Sequence, residues 1–480
     1  MSRVVVVGAG VGGLAAACRL AADRHQVTVL EAAEQVGGKL GNYERAGFRF
    51  DTGPSLLTMP EVFRDLFTAT GGWPSSLVLQ RLDPLIRHRF ADGTWLDSTD
   101  DLAEMADRLD AALGVGAGAD WQAFLERAGR IWEASRGPFL ESPLHGPRTL
   151  ASLALRHPGD LATLAPGRTL RALGQRYLRD ARLRVLLDRY ATYTGSDPRL
   201  APAALAAIPY VEQQQGGWYV EGGLHRIAEA LLERALDLGV EVRLGTPVSR
   251  ILDPATGVVL ADGGQLRADI VVANTDAAHL YGDLVPHRGA SRRLARTIPS
   301  LSGFVLLLAL RGRSPDQAHH TVLFPADYDA ELDAVFGSRL VEDPTVYVSA
   351  PPDGAPDGHE AWFVLVNAPR QGPFDWRAPG VTEGYADRVL QVMAERGLDV
   401  RERLLWREVR TPADLEDRTG SVGGAIYGSS SNGARAAFLR PANRSPVPGL
   451  FLVGGSSHPG GGLPLVALSA RIVSELVGPA

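Results

Sequence analysis

Hydrophobic and polar positions fall into a few distinct patterns along the chain. Val4 to Val7 is a run of four β-branched residues and reads as a buried strand. Leu14 to Ala22, rich in Ala and Leu, reads as a helix, and Gln26 to Leu30 as a second strand. Pro60 to Thr70 suits a helix, with Pro at an early position and Gly71-Gly72 at its end. Residues 78 to 97 alternate as strands around the turn Ala91-Asp92-Gly93, and residues 100 to 135 read as helical. After Gly216-Gly217-Trp218, the stretch from Val220 to Leu224 opens a helix that runs to about Leu238 and stops at Gly239. Val240 to Leu244 and Val248 to Leu252 are strands, a hairpin turns at Asp262-Gly263-Gly264, and Asp269 to Ala273 is buried strand. Residues 303 to 310, 345 to 349 and 361 to 366 form a second sheet, and Glu383 to Arg396 is a helix. Leu450 to Val453 is a strand and Leu465 to Val477 the last helix, with no repeat or low-complexity tract anywhere.

This order implies an α/β protein. A strand, a glycine turn, a helix and a second strand open the chain as a Rossmann-type unit. Its sheet resumes only at Asp269, so the nucleotide domain is discontinuous, with an insertion between its halves. The length of 480 residues gives a prior of about three domains. A net charge of −6 argues against a general nucleic-acid binder. Lys39 is the sole lysine; GC-rich coding explains that bias, so the Arg count carries no chemistry. Cys18 is the one cysteine, which excludes an internal disulfide and a Cys-based metal site and reads as a small packing residue. The chain begins directly with a strand, with no visible signal peptide, and no apolar run reaches the ~18 residues of a membrane span. A cytoplasmic protein, or one lying on a membrane without crossing it, is expected. Residues 145 to 200 carry ten Arg against four acids, interleaved with Leu. Such a stretch either lies in a bilayer interface or caps a soluble protein with a solvated Arg face.

The candidate chemistry lies in the glycine loops. Gly8, Gly10 and Gly13 complete G-x-G-x-x-G: a tight turn, a close approach for a pyrophosphate, and close packing of helix on strand. The helix N-terminus then offers unpaired N–H groups and its positive dipole end to phosphates. Glu31, eighteen residues past Gly13 at the end of the second strand, is placed to accept from ribose hydroxyls. Gly37-Gly38-Lys39 is a second glycine turn, whose Lys sits near phosphates or a flavin edge, or is simply solvated. Gly53-Pro54-Ser55 brings backbone close to a flat ligand, with Asp51 bracing that turn. From Gly454 to Pro464 a third glycine-rich loop precedes the last helix, a second helix end of the same kind. FAD needs two such ends, one for its pyrophosphate and one for its flavin and ribityl region.

Three segments together resemble one family: VVVVGAGVGGLAAACRLA with GGKL, FDTGPSLLT, and GLFLVGGSSHPGGGLPLVALSAR. They are similar to the FAD-dependent carotenoid desaturases of the phytoene desaturase type, within the amine-oxidase-like flavoproteins. GGWYVEGGLHRIAEAL and ADIVVANTD also resemble family patterns, so the likeness spans the whole chain. The C-terminal HPGGG-L-P form is closer to the hydroxycarotenoid 3,4-desaturases. The resemblance implies a Rossmann-type FAD-binding domain (1–75, 206–290 and 441–480), a mixed-sheet substrate domain (76–144 and 291–440) and a helical, membrane-facing cap (145–205). It implies FAD as cofactor, an apolar carotenoid substrate, and a peripheral place on the inner face of the cell membrane. The cofactor-binding set is Gly8, Gly10, Gly12, Gly13, Glu31, Gly38, Lys39, Gly53, Pro54, Ser55, Val248, Gly455, Ser456, Gly462, Leu463, Pro464 and Leu465, with no metal ligands.

Making C=C from CH₂–CH₂ removes a hydride equivalent and a proton, and FAD takes the hydride. No residue stands out as the proton acceptor; His458, bordering the third loop, either lies near the flavin or holds backbone. Oxygen and a quinone both remain as terminal acceptor. A phytoene-type first desaturase, a soluble amine oxidase on the same scaffold and a non-redox polyene isomerase stay open as other readings. No Ser-His-Asp order, metal cluster or P-loop is present in the sequence.

Overall fold

The computed structural model describes residues 1–144, 158–314, 316–433 and 436–480. A five-stranded parallel sheet holds, in order, Leu450–Leu452, Ile270–Ala273, Arg3–Val7, Gln26–Leu30 and Glu241–Arg243. Its strands come from three distant parts of the chain, and the sheet resumes at Glu241–Arg243, earlier than the Asp269 that the apolar runs suggest, because that short strand adds to the edge of Gln26–Leu30. Val4, Val5 and Val6 are each buried, because helices cover one face and the three-stranded sheet of Val248–Ile251, Gly257–Leu260 and Gln265–Arg267 lies with the cluster on the other.

The first helix spans Val11–Ala22, three residues earlier than the Ala/Leu pattern suggests. Gly12 and Gly13 form its first turn, where a side chain on Gly13 would overlap the Gly8 carbonyl oxygen. The helix is apolar nearly all round because it is enclosed by the sheet and by helices Pro60–Thr70, Arg226–Asp237 and Leu463–Val477. Cys18 sits in that enclosure at 0% exposure, its thiol 3.4 Å from the Leu231 carbonyl and its pKa pushed up to about 12 by burial. It is a packing residue. The last helix likewise starts early, at Leu463, with Pro464 in its first turn, where a missing N–H costs nothing.

A seven-stranded mixed sheet forms the second layer. Its order is Leu404–Arg410, Ser302–Arg311, His359–Ala368, Val346–Ser349, His320–Leu323, Ile86–Arg89 and Trp95–Ser98. All neighbours are antiparallel except His320–Leu323 with Ile86–Arg89. The strand Leu79–Arg81, read with its neighbours as part of one alternating stretch, pairs instead with Trp218–Val220. The helical stretch at 100–135 divides into Leu102–Leu113 and Ala117–Ser135, because Gly114 and Gly116 take φ of 110° and 98° between them.

The basic stretch is helical where it is described: Pro158–Thr163, Leu170–Tyr177 and Ala181–Thr192; its residues 145–157 lie outside the described residues. Leu170, Leu173, Leu183, Leu186 and Leu187 pack against Trp121, Phe124 and Phe324. No helix among the described residues is long and apolar enough to cross a membrane.

Candidate cofactor site and its surroundings

The open end of the parallel sheet gathers the glycine loops. Gly8 leaves the first strand at φ 99°, and its N–H donates to the Leu30 carbonyl at 2.7 Å. Beneath the turn lies Asn274, immediately after the strand Ile270–Ala273. With its amide oxygen toward the helix, it accepts from Gly10 N–H at 3.2 Å and Gly13 N–H at 3.3 Å. Gly10 is the N-cap of the first helix, with no side-chain cap and no acid in the first turn. Gly462 is the N-cap of the last helix, also without a side-chain cap or an acid. Apart from the Gly10 and Gly13 N–H groups that Asn274 holds, neither end is capped by its own N-cap side chain or neutralised by an acid, which fits the two anionic or electron-rich parts of FAD.

Glu31 stands at the edge of this turn. Its Oε2 accepts from Ala9 N–H at 2.6 Å and its Oε1 from Ala33 N–H at 2.9 Å. A carboxylate has about four acceptor sites, so two remain for ribose hydroxyls. The Glu31 carbonyl accepts from Thr246 N–H at 2.7 Å, and Val248, two residues on, is half-buried against Val5, Val7 and Leu30. Glu31 and Val248 thus flank one end of the nucleotide side.

The second loop closes on the first, Gly37 N–H donating to the Ala9 carbonyl at 2.9 Å. A side chain on Gly53 would overlap the Lys39 carbonyl oxygen, so the loops of Gly38-Lys39 and Gly53-Pro54-Ser55 are stacked backbone on backbone. Lys39 is not solvated. Its Nζ donates to the carbonyls of Ala425 at 3.0 Å and Ile426 at 2.7 Å. Burial pushes its pKa down to about 8, partly countered by Asp276. Ser55 Oγ lies 2.7 Å from Tyr347 OH.

Asp51 does not brace the Gly53-Pro54 turn. Its carboxylate accepts from Leu224 N–H at 2.7 Å, His225 N–H at 3.1 Å and His225 Nδ1 at 2.8 Å, on the turn leading into helix Arg226–Asp237. It therefore anchors the open start of that helix, whose orphan N–H groups it satisfies. The His458 Nε2 lies 2.9 Å from the Ser142 carbonyl, and its own carbonyl accepts from Asn443 Nδ2 and Ser469 Oγ. It holds backbone.

In the third loop, Ser456 Oγ accepts from Ala277 N–H at 3.0 Å, tying it to the turn after Asn274. Gly455 is close to Gly461, so the loop folds on itself and sets Gly462, Leu463, Pro464 and Leu465 at the helix start. The pattern along the chain gave no sign of the segment that threads between this loop and Lys39. That segment is 425–429. Tyr427 packs its ring against Gly461, and Arg440 binds the carbonyls of Tyr427 at 3.1 Å, Ser429 at 2.6 Å and Gly455 at 2.7 Å. Asn274 was legible only within the ADIVVANTD stretch, and Tyr427 and Arg440 carried no sequence signal.

The comparisons with known proteins agree with this geometry. The family model for flavin-containing amine oxidoreductases matches residues 11–478. The hydroxyneurosporene desaturase of Cereibacter sphaeroides is 36% identical, over 99% of this chain and 97% of its own. The 4,4'-diapolycopene oxygenase of Methylomonas sp. is 35% identical, over 99% and 98%. The 1-hydroxycarotenoid 3,4-desaturase of a Flavobacterium species is 34% identical, over 99% of each. Among solved structures, putrescine oxidase bound to putrescine superimposes with a TM-score of 0.66 at 15% identity, covering 99% of each chain, a likeness of fold alone. With a glycine at the N-cap of both helices and this similarity along its full length, the chain belongs to the flavin-containing amine oxidoreductase family, on the branch of the FAD-dependent carotenoid desaturases.

Proposed function

We propose that this flavoenzyme introduces a C=C bond near one end of an acyclic, hydroxylated C40-type carotenoid, at the 3,4 position of a 1-hydroxycarotenoid. The observation that carries the reading is the similarity, over nearly every residue, to desaturases whose names specify that chemistry. Bound FAD supplies the hydride acceptor. The chain's own part is to hold the cofactor and exclude water. Gly8, Gly10, Gly12 and Gly13 cradle the pyrophosphate at the first helix, and Glu31 and Val248 hold the ribose and adenine side. Gly38, Lys39, Gly53, Pro54 and Ser55 meet the flavin from one side, and Gly455, Ser456, Gly462, Leu463, Pro464 and Leu465 from the other.

The same reading assigns 1–75, 206–290 and 441–480 to the FAD-binding domain and 76–144 with 291–440 to the substrate domain. It makes 145–205 a cap that rests on the inner face of the membrane, from which the apolar substrate enters. A second reading, oxygenation of a polyene end, is favoured by the similarity to the diapolycopene oxygenase.

The test is turnover in liposomes holding phytoene and a hydroxylated neurosporene-type carotenoid, followed by product mass and absorption. Loss of two hydrogens from the hydroxylated carotenoid with a red-shifted spectrum is the expected result. Conversion of phytoene alone would move the reaction to a first desaturation, and gain of oxygen would make it an oxygenase. Reduction of the flavin only by an amine would overturn the carotenoid reading.

A further inference from the structure

Among the described residues of the helical region, one guanidinium is buried with no carboxylate in contact, its nearest acid Glu212 acting only at a distance. Arg171, Arg179, Arg182 and Arg199 each form an ion pair with an Asp. Arg189, on helix Ala181–Thr192, is 7% exposed, and among the described residues no carboxylate oxygen lies within 4.0 Å of it. Its Nη1 donates to Tyr193 OH at 2.7 Å, and its guanidinium carbon sits 5.0 Å from the Tyr193 ring and 5.8 Å from the Tyr347 ring. The neighbouring carboxyl, Glu212, accepts from Tyr190 OH at 2.6 Å, and burial pushes its pKa upward, toward the neutral form. A guanidinium carries five donors. A buried cation that spends one of them on a phenol is an expensive arrangement unless a ligand uses the rest.

Its surroundings place it beside the cofactor loops. Tyr347 OH joins Ser55 Oγ and His320 Nδ1, each at 2.7 Å, so one ring separates Arg189 from the Gly53-Pro54-Ser55 loop. On the other side, Gly195, two residues past Tyr193, packs on the Tyr427 ring, whose opposite edge packs on Gly461. Arg189 therefore lies among side chains that touch both flavin-side loops.

Resting on the reading of a hydroxylated substrate, we propose that Arg189 binds the terminal hydroxyl oxygen of the carotenoid, with Tyr193 as its positioning residue. In a 1-hydroxycarotenoid desaturated at the 3,4 bond, the hydroxyl-bearing carbon is only two bonds from the reacting pair. Its polar partner must then lie next to the flavin, and not at the far end of a long tunnel. Arg189 is a buried cation one tyrosine ring from the Gly53-Pro54-Ser55 loop. The hydroxyl fixes which bond reaches the cofactor, and an unhydroxylated end leaves the donors unsatisfied.

The experiment uses the FAD-loaded Arg189→Met and Tyr193→Phe enzymes in liposomes, with the hydroxylated carotenoid and its unhydroxylated counterpart of equal length. A second measurement is equilibrium binding of the already desaturated hydroxycarotenoid, read by tryptophan quenching without turnover. Arg189→Met is expected to weaken that binding and raise the KM for the hydroxylated substrate by about tenfold or more, the loss of a charge-assisted bond. The unhydroxylated carotenoid should keep its KM, and Tyr193→Phe should shift selectivity the same way by less. Thermal stability should hold or rise, since an unpaired buried charge has been replaced by an apolar chain. Unchanged selectivity in Arg189→Met, tighter binding of a carboxylate-ended polyene than of the hydroxylated one, or a variant that no longer folds would each overturn the assignment while leaving the desaturase intact. Failure of the unmodified enzyme to convert any carotenoid would overturn both.

Discussion

Replacing Glu31 by Gln separates the two tasks this side chain is given. In the structure its two oxygens accept from Ala9 N–H at 2.6 Å and Ala33 N–H at 2.9 Å. A carboxamide has one oxygen, so one of those N–H groups would face an NH₂. The bond to a charged acceptor is worth about 1.5–3 kcal/mol and a neutral one about 0.5–1.5 kcal/mol, so the apoprotein should lose roughly 1–3 kcal/mol. The FAD term is separate, because the backbone bonds exist with and without the cofactor. A ribose hydroxyl that donates to the carboxylate in one enzyme and to an amide in the other loses about 1–1.5 kcal/mol, close to tenfold in Kd. Titration of FAD into apoprotein, followed by flavin fluorescence, gives that Kd, and thermal unfolding of the same apoprotein gives the stability loss. A lowered melting temperature with an FAD affinity within twofold of the parent would refute the argument: Glu31 would then brace the turn and hold no ribose.

Two further outcomes concern charge. Lys39 has its pKa lowered to about 8 by burial, against ~10.4 for a free lysine. Between those values the unfolded chain keeps a proton that the folded apoprotein has released, so apoprotein stability should rise as pH climbs from about 8 to about 10, and the charged form should cost stability below 8. As the sole lysine, it gives one signal in protein labelled with [ε-¹³C]lysine; a midpoint near 10 would contradict its burial. The membrane reading predicts flotation with anionic liposomes that weakens with salt. No flotation by an active enzyme at either salt would contradict it.

That second outcome is tempered by a finding in the fold. The excess of Arg in 145–200 is partly neutralised by acids from elsewhere: Arg171 pairs with Asp329, Arg179 with Asp120, Arg182 with Asp92 and Arg199 with Asp333. Counting charge along the chain cannot see partners that folding brings in from a distance. The same limit explains what else the sequence hid. The glycine turns were legible because each is a local backbone demand, set by residues a few positions apart. Lys39 was legible as a basic residue after two glycines, but its carbonyl partners at 425 and 426 lie far along the chain. Asp51 was adjacent in sequence to one turn and serves another helix start. Arg189 was one of many arginines until packing buried it with no carboxylate in contact.

The interleaved parallel sheet sets an order of events for a chain being made on the ribosome. The first strand, Arg3–Val7, leaves first, yet one of its two neighbours, Ile270–Ala273, follows after more than half the chain, and Leu450–Leu452 later still. On the proposed reading both N-cap glycines face one FAD, so the cofactor site is completed only by the last helix, Leu463–Val477. Arg3–Val7 can pair early with Gln26–Leu30, but its other edge must wait for Ile270–Ala273, the situation in which long-range sheets are slow to form and exposed to aggregation. On that reading FAD acts after the last helix is made, as a ligand that draws chains carrying both helix ends into the folded state.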